Sequence, residues 1–358
     1  MREPEDESIW APTILVTGGA GFIGSNFVRH VLEAWPEARV VVLDKLTYAG
    51  NLDNLRPVAD NPSTRARYHF VQGDICVRAE VEAAMRDCDC VVNFAAETHV
   101  DRSIVDPGAF VRTDVEGTLE LLEAARARGV RRFIQISTDE VYGNAQAPDG
   151  TSRPSLETDA LQPLSPYAAS KAGADRLAFS YWATYGLPVI VTRCSNNYGP
   201  FQYPEKQLPL FITNALAGRS LPVYGDGANT RDWIHVDDHC TALVTLLRAP
   251  AAQVVGEVFN IGTEEERSIV SNARAVLATL GLAESAITFV PDRLGHVRRH
   301  AVDSTKLRAR LDWAPAVRFA DGLPRTIEWY RMNTAWLEGV LARRDTFLTA
   351  ALALAEPS

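Results

Sequence analysis

The 358-residue chain has few cysteines, no cluster of basic residues and no long apolar run. Its five cysteines are odd in number and none forms a CxxC pair, which disfavours a disulfide framework and suits a reducing cytoplasm. A formal net charge of -9 without a Lys/Arg run argues against a nucleic-acid partner. No apolar stretch is long enough to cross a bilayer, and the acidic N-terminus lacks the apolar core of a signal peptide. The length and the 46% hydrophobic residues are enough for a large core, either in one large domain or in a nucleotide domain with a smaller cap.

Short apolar runs alternate with helical patterns over the first two-thirds of the chain. The runs are "TILVTGG", "ARVVVLD", "YHFVQGD", "DCVVNFAA", "RRFIQIS" and "LPVIVTRCSN", and the helices are predicted at 22–34, 114–129 and 166–185. This alternation predicts an α/β fold with a doubly wound parallel sheet covered on both faces. After residue 198 the sequence is rich in Pro, Gly and aromatics, interrupted by a helix near 236–248 and a strand "GEVFNIG". We expect a nucleotide-binding domain over 12–198, to which 232–262 returns, a smaller loop-rich substrate domain over 199–231 and 263–330, and a helical tail over 331–358.

Glycines follow the first predicted strand in a pattern typical of dinucleotide binding. Gly18, Gly21 and Gly24 have GxxGxxG spacing and precede a helix, so the backbone can approach a pyrophosphate at the helix N-terminus. Asp44 closes the second strand, where an acid suits a ribose 2'-hydroxyl and disfavours a 2'-phosphate. The cofactor is therefore predicted to be NAD in a Rossmann-type fold. Asp74 closes the third strand, and two roles are open for it: it could accept a hydrogen bond from the adenine amino group, or it could be an ordinary turn residue.

Tyr167 and Lys171 form a YxxxK pair on a predicted helix, where an offset of four places both side chains on one face. A nearby ammonium group would lower the pKa of the phenol and let it act as a base. Together with Thr138 at the end of the fifth strand, the pair is typical of short-chain dehydrogenases/reductases. His235 and His239, in "HVDDH", have a spacing that can bind zinc, but a capped helix start is favoured and no metal is expected.

When longer stretches of sequence are compared, the chain resembles the dTDP-glucose 4,6-dehydratase family within the extended short-chain dehydrogenases/reductases. The matching stretches are "TGGAGFIGSNFVRH", "LDKLTYAGN", "FAAETHVDRSI", "STDEVYG", "SPYAASKAGAD", "CSNNYGPFQYPEK", "LPVYGDGANTRDW" and "DRLGHVRRHAVD". Two adjacent acids, Asp139 and Glu140, follow Thr138. Related 4-epimerases have no such acid pair, and UDP-glucuronate decarboxylases have only the glutamate. The alternative, an epimerase or decarboxylase acting on a UDP-sugar, would leave Asp139 without a role.

The resemblance implies an internal redox reaction with loss of water. Tyr167 would take the proton from the sugar 4-hydroxyl, Glu140 the proton from C5, and Asp139 would protonate the leaving 6-hydroxyl. Thr138 would bind the 4-oxygen. Two carboxyl groups that serve adjacent carbons in opposite roles need to be neighbours in different protonation states.

The resemblance also implies binding residues and a homodimer. Further cofactor contacts would be Phe22, Ile23, Lys45, Leu46, Thr47, Ile75, Phe94, Ala95, Ala96, Thr113 and Asn197. Contacts to the nucleotide sugar would be Thr98, Asn196, Lys206, Gln207, Pro222, Tyr224, Arg231, His296, Arg298 and His300. The two arginines suit a diphosphate, which a guanidinium binds through two oxygens.

Departures from the family pattern lie mostly at the nucleotide end. Leu294, Val297 and His300 stand in a segment where the family has Pro-Gly-His-Asp and a later tyrosine. Asp114 replaces an asparagine expected at the start of the helix 114–129. These changes leave the sugar chemistry intact and make the nucleobase preference the uncertain property.

Overall fold

The computed structural model describes residues 11–147, 149–292 and 295–353, with side chains up to residue 343. A seven-stranded parallel sheet forms the centre of the larger lobe, in the order β10-β6-β5-β4-β1-β2-β3. Its strands are β1 (Thr13–Thr17), β2 (Arg39–Asp44), β3 (Tyr68–Gln72), β4 (Cys90–Asn93), β5 (Arg132–Thr138), β6 (Val189–Cys194) and β10 (Val258–Ile261). β1, β4 and β6 are buried along their whole length or nearly so, because helices cover both faces of the sheet. The predicted doubly wound parallel sheet is confirmed.

Helices on the two faces bury two separate apolar layers against this sheet. They are α1 (Phe22–Ala34), α2 (Arg56–Ala59), α3 (Pro62–Arg65), α4 (Arg78–Met85), α5 (Val100–Val105), α6 (Pro107–Phe110), α7 (Gly117–Arg128), α8 (Pro166–Tyr185), α10 (Val236–Arg248), α11 (Ala251–Val254) and α13 (Thr305–Leu311). One layer contains α1 and α10, and the other contains α4, α7 and α8. The strand order reverses between β1 and β4, so the cleft opens at the carboxyl ends of these strands.

A smaller lobe is built on a second core. It contains β7 (Asn196–Tyr198), β8 (Leu221–Tyr224), β9 (Thr230–His235), β11 (Glu266–Ser268), β12 (Ile287–Val290), β13 (Arg299–His300), α9 (Gln207–Leu216), α12 (Ile269–Leu280), α14 (Phe319–Met332) and α15 (Thr334–Ala353). β9 pairs with β7, β11 and β13, while β8 pairs with β12. Tyr198, Phe211, Trp233, Phe319 and Tyr330 fill the core between these elements.

The structure differs from the sequence expectation at one helix. The helix predicted over 114–129 is one part of a continuous helical stretch, in which α6 leads through a π-helical turn (Val111–Glu116) into α7. Asp114 is therefore not at a helix start. It lies inside the π turn, 1% exposed, where its carboxylate serves tertiary contacts instead of capping.

Other predicted elements agree closely in position. α1, α8 and α10 have the predicted bounds, and β10 joins the main sheet next to β6. β9 spans Thr230–His235 and pairs with β7 of the smaller lobe, whereas the sequence predicts that the chain returns to the larger lobe from residue 232. α15 covers most of the predicted tail, whose residues 354–358 lie outside the described residues. No helix within the described ranges has the length and apolar character needed to span a membrane.

Candidate active site

The glycine-rich turn between β1 and α1 forms one end of the cleft. Gly18 has φ +65°, and a Cβ at this position would stand 2.7 Å from the backbone nitrogen of Ala95. The amide of Gly21 donates to the carbonyl of Gly18 at 3.1 Å, which closes the turn before α1 begins at Phe22. A side chain would fill the space beside this turn, so the glycines keep the backbone open to a ligand phosphate at the helix N-terminus. The geometry fits a dinucleotide pyrophosphate.

Asp44 shapes the neighbouring wall of the cleft. Its two carboxylate oxygens accept from the backbone amides of Ala20 at 2.9 Å and Leu46 at 2.8 Å. These bonds fix the glycine turn and the loop after β2 in one arrangement, and burial raises the pKa of the carboxyl group. Each oxygen keeps a second lone pair for a ribose hydroxyl. The acid thus fits an unphosphorylated ribose, as predicted for NAD.

The structure gives Asp74 two hydrogen-bond or ion-pair partners that the sequence alone did not predict. Its carboxylate accepts from the amide of Cys76 at 2.9 Å, which is a turn role, and forms an ion pair with Lys45 at 2.7 Å. Asp74 nevertheless lines the cleft together with Ile75. The turn role is therefore present, and the predicted contact with adenine remains geometrically open.

The adjacent acids lie where β5 ends. Thr138 caps the short 3-10 turn that follows: its hydroxyl accepts from the amide of Glu140 at 3.3 Å and donates to Asp139 at 3.2 Å. Asp139 is 3% exposed, and its second oxygen has no hydrogen-bond partner among the described residues. Burial, and then the negative charge of Glu140, raise the pKa of Asp139 well above its ordinary value. Asp139 is thus set to carry a proton, which is the state a general acid needs.

Tyr167 and Lys171 face the same cleft from α8. Ser165 caps this helix by accepting from the amide of Ala168 at 3.1 Å, with Pro166 in the first turn. The ammonium of Lys171 donates to the carbonyl of Ile136 at 2.7 Å, so β5 holds it in place.

The electrostatics of this pair differ from the simplest sequence expectation. Burial, then the charges of Glu140 and Asp114, raise the pKa of Tyr167 well above its ordinary value, and burial lowers the pKa of Lys171. The predicted net lowering of the phenol pKa is therefore not found, because burial and the neighbouring carboxyl groups outweigh any effect of the lysine. The site is rich in buried acid, and a cation bound beside Tyr167 would be needed to favour its ionised form.

Asp114 connects two walls of the cleft, a role that its sequence position did not reveal. It accepts from the amide of Glu97 at 2.9 Å and from the hydroxyl of Ser170 at 2.6 Å. Burial raises its pKa to about 6, while the charge of Lys171 opposes that shift. The replacement of asparagine thus places a titratable group behind the Tyr167–Lys171 pair.

The structure brings most of the predicted site residues into one cleft. They are Gly18, Gly21, Phe22, Ile23, Gly24, Asp44, Lys45, Thr47, Asp74, Ile75, Phe94, Ala95, Ala96, Thr98, Thr113, Thr138, Asp139, Glu140, Tyr167, Lys171, Asn196, Asn197 and Lys206. The ammonium of Lys206 donates to the carbonyl of Thr98 at 2.5 Å, which joins the two lobes across the cleft.

A second group of predicted residues does not line this cleft. It comprises Leu46, Gln207, Pro222, Tyr224, Arg231, His296, Arg298 and His300. Most of these belong to the smaller lobe: Arg231 and His300 are paired in register between β9 and β13, and both are buried. Arg298 is largely exposed and contacts Asn229 at 3.1 Å.

Sequence reasoning missed several residues that line the cleft. They are Leu43, Tyr48, Ala49, Gly50, Gly73, Glu97, Ile136, Ser137, Cys194, Ser195, Gln202, Tyr203, Glu205 and His239. Most lie inside the motifs quoted from the sequence, so membership of those motifs was the available signal. The hydroxyls of Ser137 and Ser195 are buried without a hydrogen-bond partner among the described residues, which marks them as groups a ligand can satisfy.

The two histidines considered for zinc have different roles. His235 caps α10 by accepting from the amide of Asp237 at 3.3 Å, as the helix-start interpretation predicts. His239 lies in the cleft, with Nδ1 3.0 Å from the side-chain oxygen of Asn197, and burial lowers its pKa to about 3, so the ring is neutral. Among the described residues, no group of three or more His, Cys, Asp and Glu side chains could hold a metal ion.

The doubly wound sheet, the glycine turn and the Tyr167–Lys171 pair define an extended short-chain dehydrogenase/reductase. A model of the GDP-mannose 4,6 dehydratase family matches residues 15–326. A dTDP-glucose 4,6-dehydratase of Streptomyces niveus is 50% identical over 91% of this chain and 94% of its own length. Within that class, the chain belongs to the dTDP-glucose 4,6-dehydratase family.

Solved structures agree with this assignment. A dTDP-glucose 4,6-dehydratase from Streptomyces venezuelae, solved with NAD and dTDP bound, has a TM-score of 0.86 and 47% identity, covering 92% of this chain and 99% of its own. A UDP-glucose 4-epimerase from Thermus thermophilus, in complex with NAD, has a TM-score of 0.79 and 32% identity, covering 89% and 99%. The epimerase shares the fold, so the reaction has to be argued from the acids in the cleft.

Proposed function

We propose that the protein dehydrates a nucleotide-activated glucose, dTDP-glucose, to the 4-keto-6-deoxy sugar. The observation that carries the proposal is the pair Asp139 and Glu140 in the cleft that Tyr167 and Lys171 also face. One acid of the pair is buried with a raised pKa, and the other follows it directly in the chain. Such a pair can donate one proton and remove another on adjacent carbons.

NAD fits the glycine turn and Asp44, and when bound it supplies the acceptor that takes hydride from C4 and returns it at C6. Gly18, Gly21 and Gly24 would hold its pyrophosphate and Asp44 its adenosine ribose. The buried hydroxyls of Ser137 and Ser195 provide further polar groups in the same cleft. The unphosphorylated ribose is favoured because Asp44 is an acid.

Each side chain around the sugar has one task in this reaction. Tyr167 accepts the proton of the 4-hydroxyl while Thr138 binds the same oxygen. Glu140 removes the proton at C5, which the neighbouring ketone acidifies. Asp139 gives its proton to the 6-oxygen, so that water and not hydroxide leaves. Lys171, held on the carbonyl of Ile136, would favour the ionised phenol through its positive charge, against the burial and the carboxyl groups that raise the pKa of Tyr167.

The alternative is a 4-epimerase or a decarboxylase on a UDP-sugar. Both need the redox step at C4, and neither needs an acid at the 6-oxygen. The burial of Asp139 is costly for a carboxyl group without a function, because one oxygen lacks a hydrogen-bond partner among the described residues. The dehydratase uses this acid, and the alternatives do not.

Product analysis tests the proposal directly. Purified protein incubated with dTDP-glucose, without added reductant, is expected to give the 4-keto-6-deoxy sugar, to release water and to retain its NAD. The same incubation with UDP-glucose and UDP-glucuronate reveals a 4-epimer or carbon dioxide if an alternative holds. Release of one reduced cofactor into solution per turnover would contradict the internal redox reaction.

We further propose that the smaller lobe binds the nucleotide. Arg231 and Arg298 would hold the diphosphate, and Pro222, Tyr224, His296 and His300 would surround the nucleoside. Tyr224 and His296 already approach each other edge to face, with ring centroids 6.3 Å apart. Because Asp226 and Asn229 contact Arg298, the diphosphate would have to displace them.

A homodimer and a cytoplasmic location complete the proposal. Ile104, Val105, Val111 and Leu119 are 37–55% exposed on the side of the larger lobe that carries α5 and α7, and exposed apolar side chains of this kind suit an interface between two copies. Leu119→Glu is expected to shift the mass measured by light scattering from dimer to monomer. The five cysteines are all free, which suits a reducing compartment.

The division into a nucleotide domain and a substrate domain is likewise a proposal. Limited proteolysis is expected to cut between the lobes before it cuts the main sheet, and bound dTDP is expected to slow that cleavage. Uniform cleavage of both lobes would contradict the division.

A further inference from the structure

The C-terminal helices carry an aromatic cluster that reaches the loop after β7. Trp329 and Trp336 stand with ring centroids 5.0 Å apart, and Phe201 lies 4.6 Å from the first and 5.8 Å from the second. Phe201 has φ +67°, an unfavourable backbone conformation for a residue with a side chain, so packing has to hold it there. The cluster is therefore a fixed attachment point for the 199–206 loop.

The first connection from this cluster leads to the glycine turn. The indole nitrogen of Trp336 donates to the side-chain oxygen of Asn54 at 2.7 Å. The amide nitrogen of the Asn54 side chain donates to the carbonyl of Ala20 at 2.9 Å, and Asn54 is 2% exposed. Ala20 lies between Gly18 and Gly21. Two hydrogen bonds thus join α15 to the backbone that is shaped for the pyrophosphate.

The second connection leads to the wall of the cleft near the sugar. The hydroxyl of Tyr330 donates to the carbonyl of Gln202 at 2.5 Å, and the side chain of Gln202 donates to the carbonyl of Asn197 at 2.8 Å. Gln202, Asn197 and Lys206 all line the cleft. The same aromatic cluster therefore supports the cofactor side and the substrate side.

We infer that Trp336 is a positioning residue, which locks the glycine turn and the 199–206 loop together so that the cofactor stays bound through turnover. The inference deepens the proposed function and rests on it for the identity of the cofactor. The proposed reaction returns the hydride to the same sugar, so the cofactor has to stay bound in both its oxidised and its reduced form. This requires the glycine turn and the 199–206 loop to keep their relative positions throughout the reaction. Trp336 touches neither the substrate nor the cofactor in this assignment and acts through Asn54 and Phe201.

The decisive variant is Trp336→Phe, which keeps an aromatic ring for the cluster and removes the indole N–H. The matched control is Trp313→Phe, since the indole nitrogen of Trp313 donates to the hydroxyl of Thr241 at 2.9 Å and Trp313 does not line the cleft. Both variants lose one hydrogen bond of the same kind.

Retention of NAD is measured after rapid dilution and gel filtration, and hydrogen exchange is measured on the protein stripped of NAD. Trp336→Phe is expected to release NAD roughly fivefold faster, the effect of one lost hydrogen bond, and to raise exchange in residues 18–26. Trp313→Phe is expected to match the wild type in both measurements. Asn54→Ala removes both hydrogen bonds of this connection, so it is expected to release NAD at least as fast as Trp336→Phe. The double variant is expected to release NAD no faster than Asn54→Ala, because Trp336 acts on the glycine turn through Asn54.

Each remaining outcome has a distinct meaning. Faster exchange confined to α14 and α15, with NAD release unchanged in Trp336→Phe, would show that Trp336 only stabilises the C-terminal helices and would overturn the inference. Equal acceleration of NAD release in both tryptophan variants would overturn it too, since the effect would then be general. Wild-type protein that does not retain NAD would overturn the inference, because there would be no retention for Trp336 to support. Failure to turn over dTDP-glucose even with added NAD would instead refute the proposed function.

Discussion

The proposed catalytic end and the proposed nucleotide end of the site differ in burial. Asp139 and Lys171 are 3% and 4% exposed and are held by the end of β5 and by α8. The side chain of Arg298, at the nucleotide end, is 61% exposed and lies 3.4 Å from Asp226, itself 69% exposed. The ionisable groups at the catalytic end are shielded from water by the protein itself. Those at the nucleotide end are screened by water and by the opposite charge of their neighbours.

This contrast separates chemistry from recognition. Burial raises the pKa of Asp139 well above its ordinary value and so favours the protonated form before the sugar binds. At the proposed nucleotide end, a diphosphate that binds Arg298 would exchange one set of polar partners for another. Substitutions at the catalytic end should therefore change rates strongly, and substitutions at the nucleotide end should change affinity and selectivity by smaller factors.

The largest effect is expected when the adjacent acids are neutralised one at a time. Asp139→Asn should slow turnover of dTDP-glucose about 10²–10⁴-fold, because hydroxide is a poor leaving group without a proton donor. It should recover substantially on a 6-fluoro analogue, since fluoride leaves with little assistance. Glu140→Gln should instead slow solvent-deuterium incorporation at C5, whichever group leaves. Single-turnover kinetics with both substrates measure these effects.

The two variants serve as controls for each other, since each replaces one of two neighbouring carboxyl groups with an amide of nearly the same size. Rescue of Glu140→Gln by fluorine, with no rescue of Asp139→Asn, would reverse the two assignments. Loss of bound NAD in either variant would mean that the change in rate reports binding and not proton transfer.

The second effect concerns stability, at the buried carboxyl group behind the catalytic pair. The pKa of Asp114 rises from 3.8 to about 6 on folding because of burial. The folded protein therefore binds this proton more tightly than the unfolded chain does. As the pH rises from about 4 to about 6, this difference lowers the free energy of unfolding, which then stays lower at higher pH. Asp114→Asn should therefore raise the free energy of unfolding by at most about 3 kcal/mol at pH 7.5, which is the energy equivalent of a shift of about two pKa units. At pH 4 the substitution should have little effect.

Chemical denaturation of both proteins across this pH range measures the difference. The Asn side chain can still accept from Glu97 and donate to Ser170, so packing is preserved. Asp60→Asn, at an exposed position, is the matched control and should show no such pH-dependent gain. A stability difference between Asp114→Asn and wild type that stays constant with pH would contradict this origin.

A smaller effect is expected at Arg298. Arg298→Ala should raise KM for dTDP-glucose about tenfold with little change in kcat, because an exposed guanidinium contributes a hydrogen-bonded charge to the diphosphate but does not act on the sugar. Arg318→Ala, which removes an exposed arginine paired with Asp321 at 3.0 Å, is the control. A drop in kcat without a change in KM would place Arg298 at the chemical step instead.

The smallest effect is expected in the choice of nucleobase. Val297 and His300 replace a carboxylate and a phenol of the family pattern, and both are buried here. The wild type should discriminate between dTDP-glucose and UDP-glucose a few-fold less well than the Val297→Asp, His300→Tyr double variant, as one polar contact is worth about tenfold at most. The ratio of kcat/KM for the two substrates measures this. A wild-type ratio equal to that of the double variant would dismiss the idea.

The sequence predicted the parts of the molecule that local chemistry controls. The buried strands, α1, α8 and α10, the glycine turn and the pair Tyr167 and Lys171 all follow from periodicity and short motifs. The contact between Trp336 and Asn54 joins residues 282 positions apart, and no local pattern encodes it. Burial was the other missing quantity, since it sets the pKa directions of Asp114 and Tyr167 and depends on every element packed around them.

The position of β10 has a consequence for the order in which the chain can fold. This strand completes the main sheet beside β6, but it is synthesised only after the first strands and helix of the smaller lobe. Until then the backbone groups of Val189–Cys194 form an open edge, which can pair with another nascent chain. A fragment that stops at residue 198 is therefore expected to aggregate, and one that extends through residue 262 is expected to remain dispersed for longer after release from the ribosome.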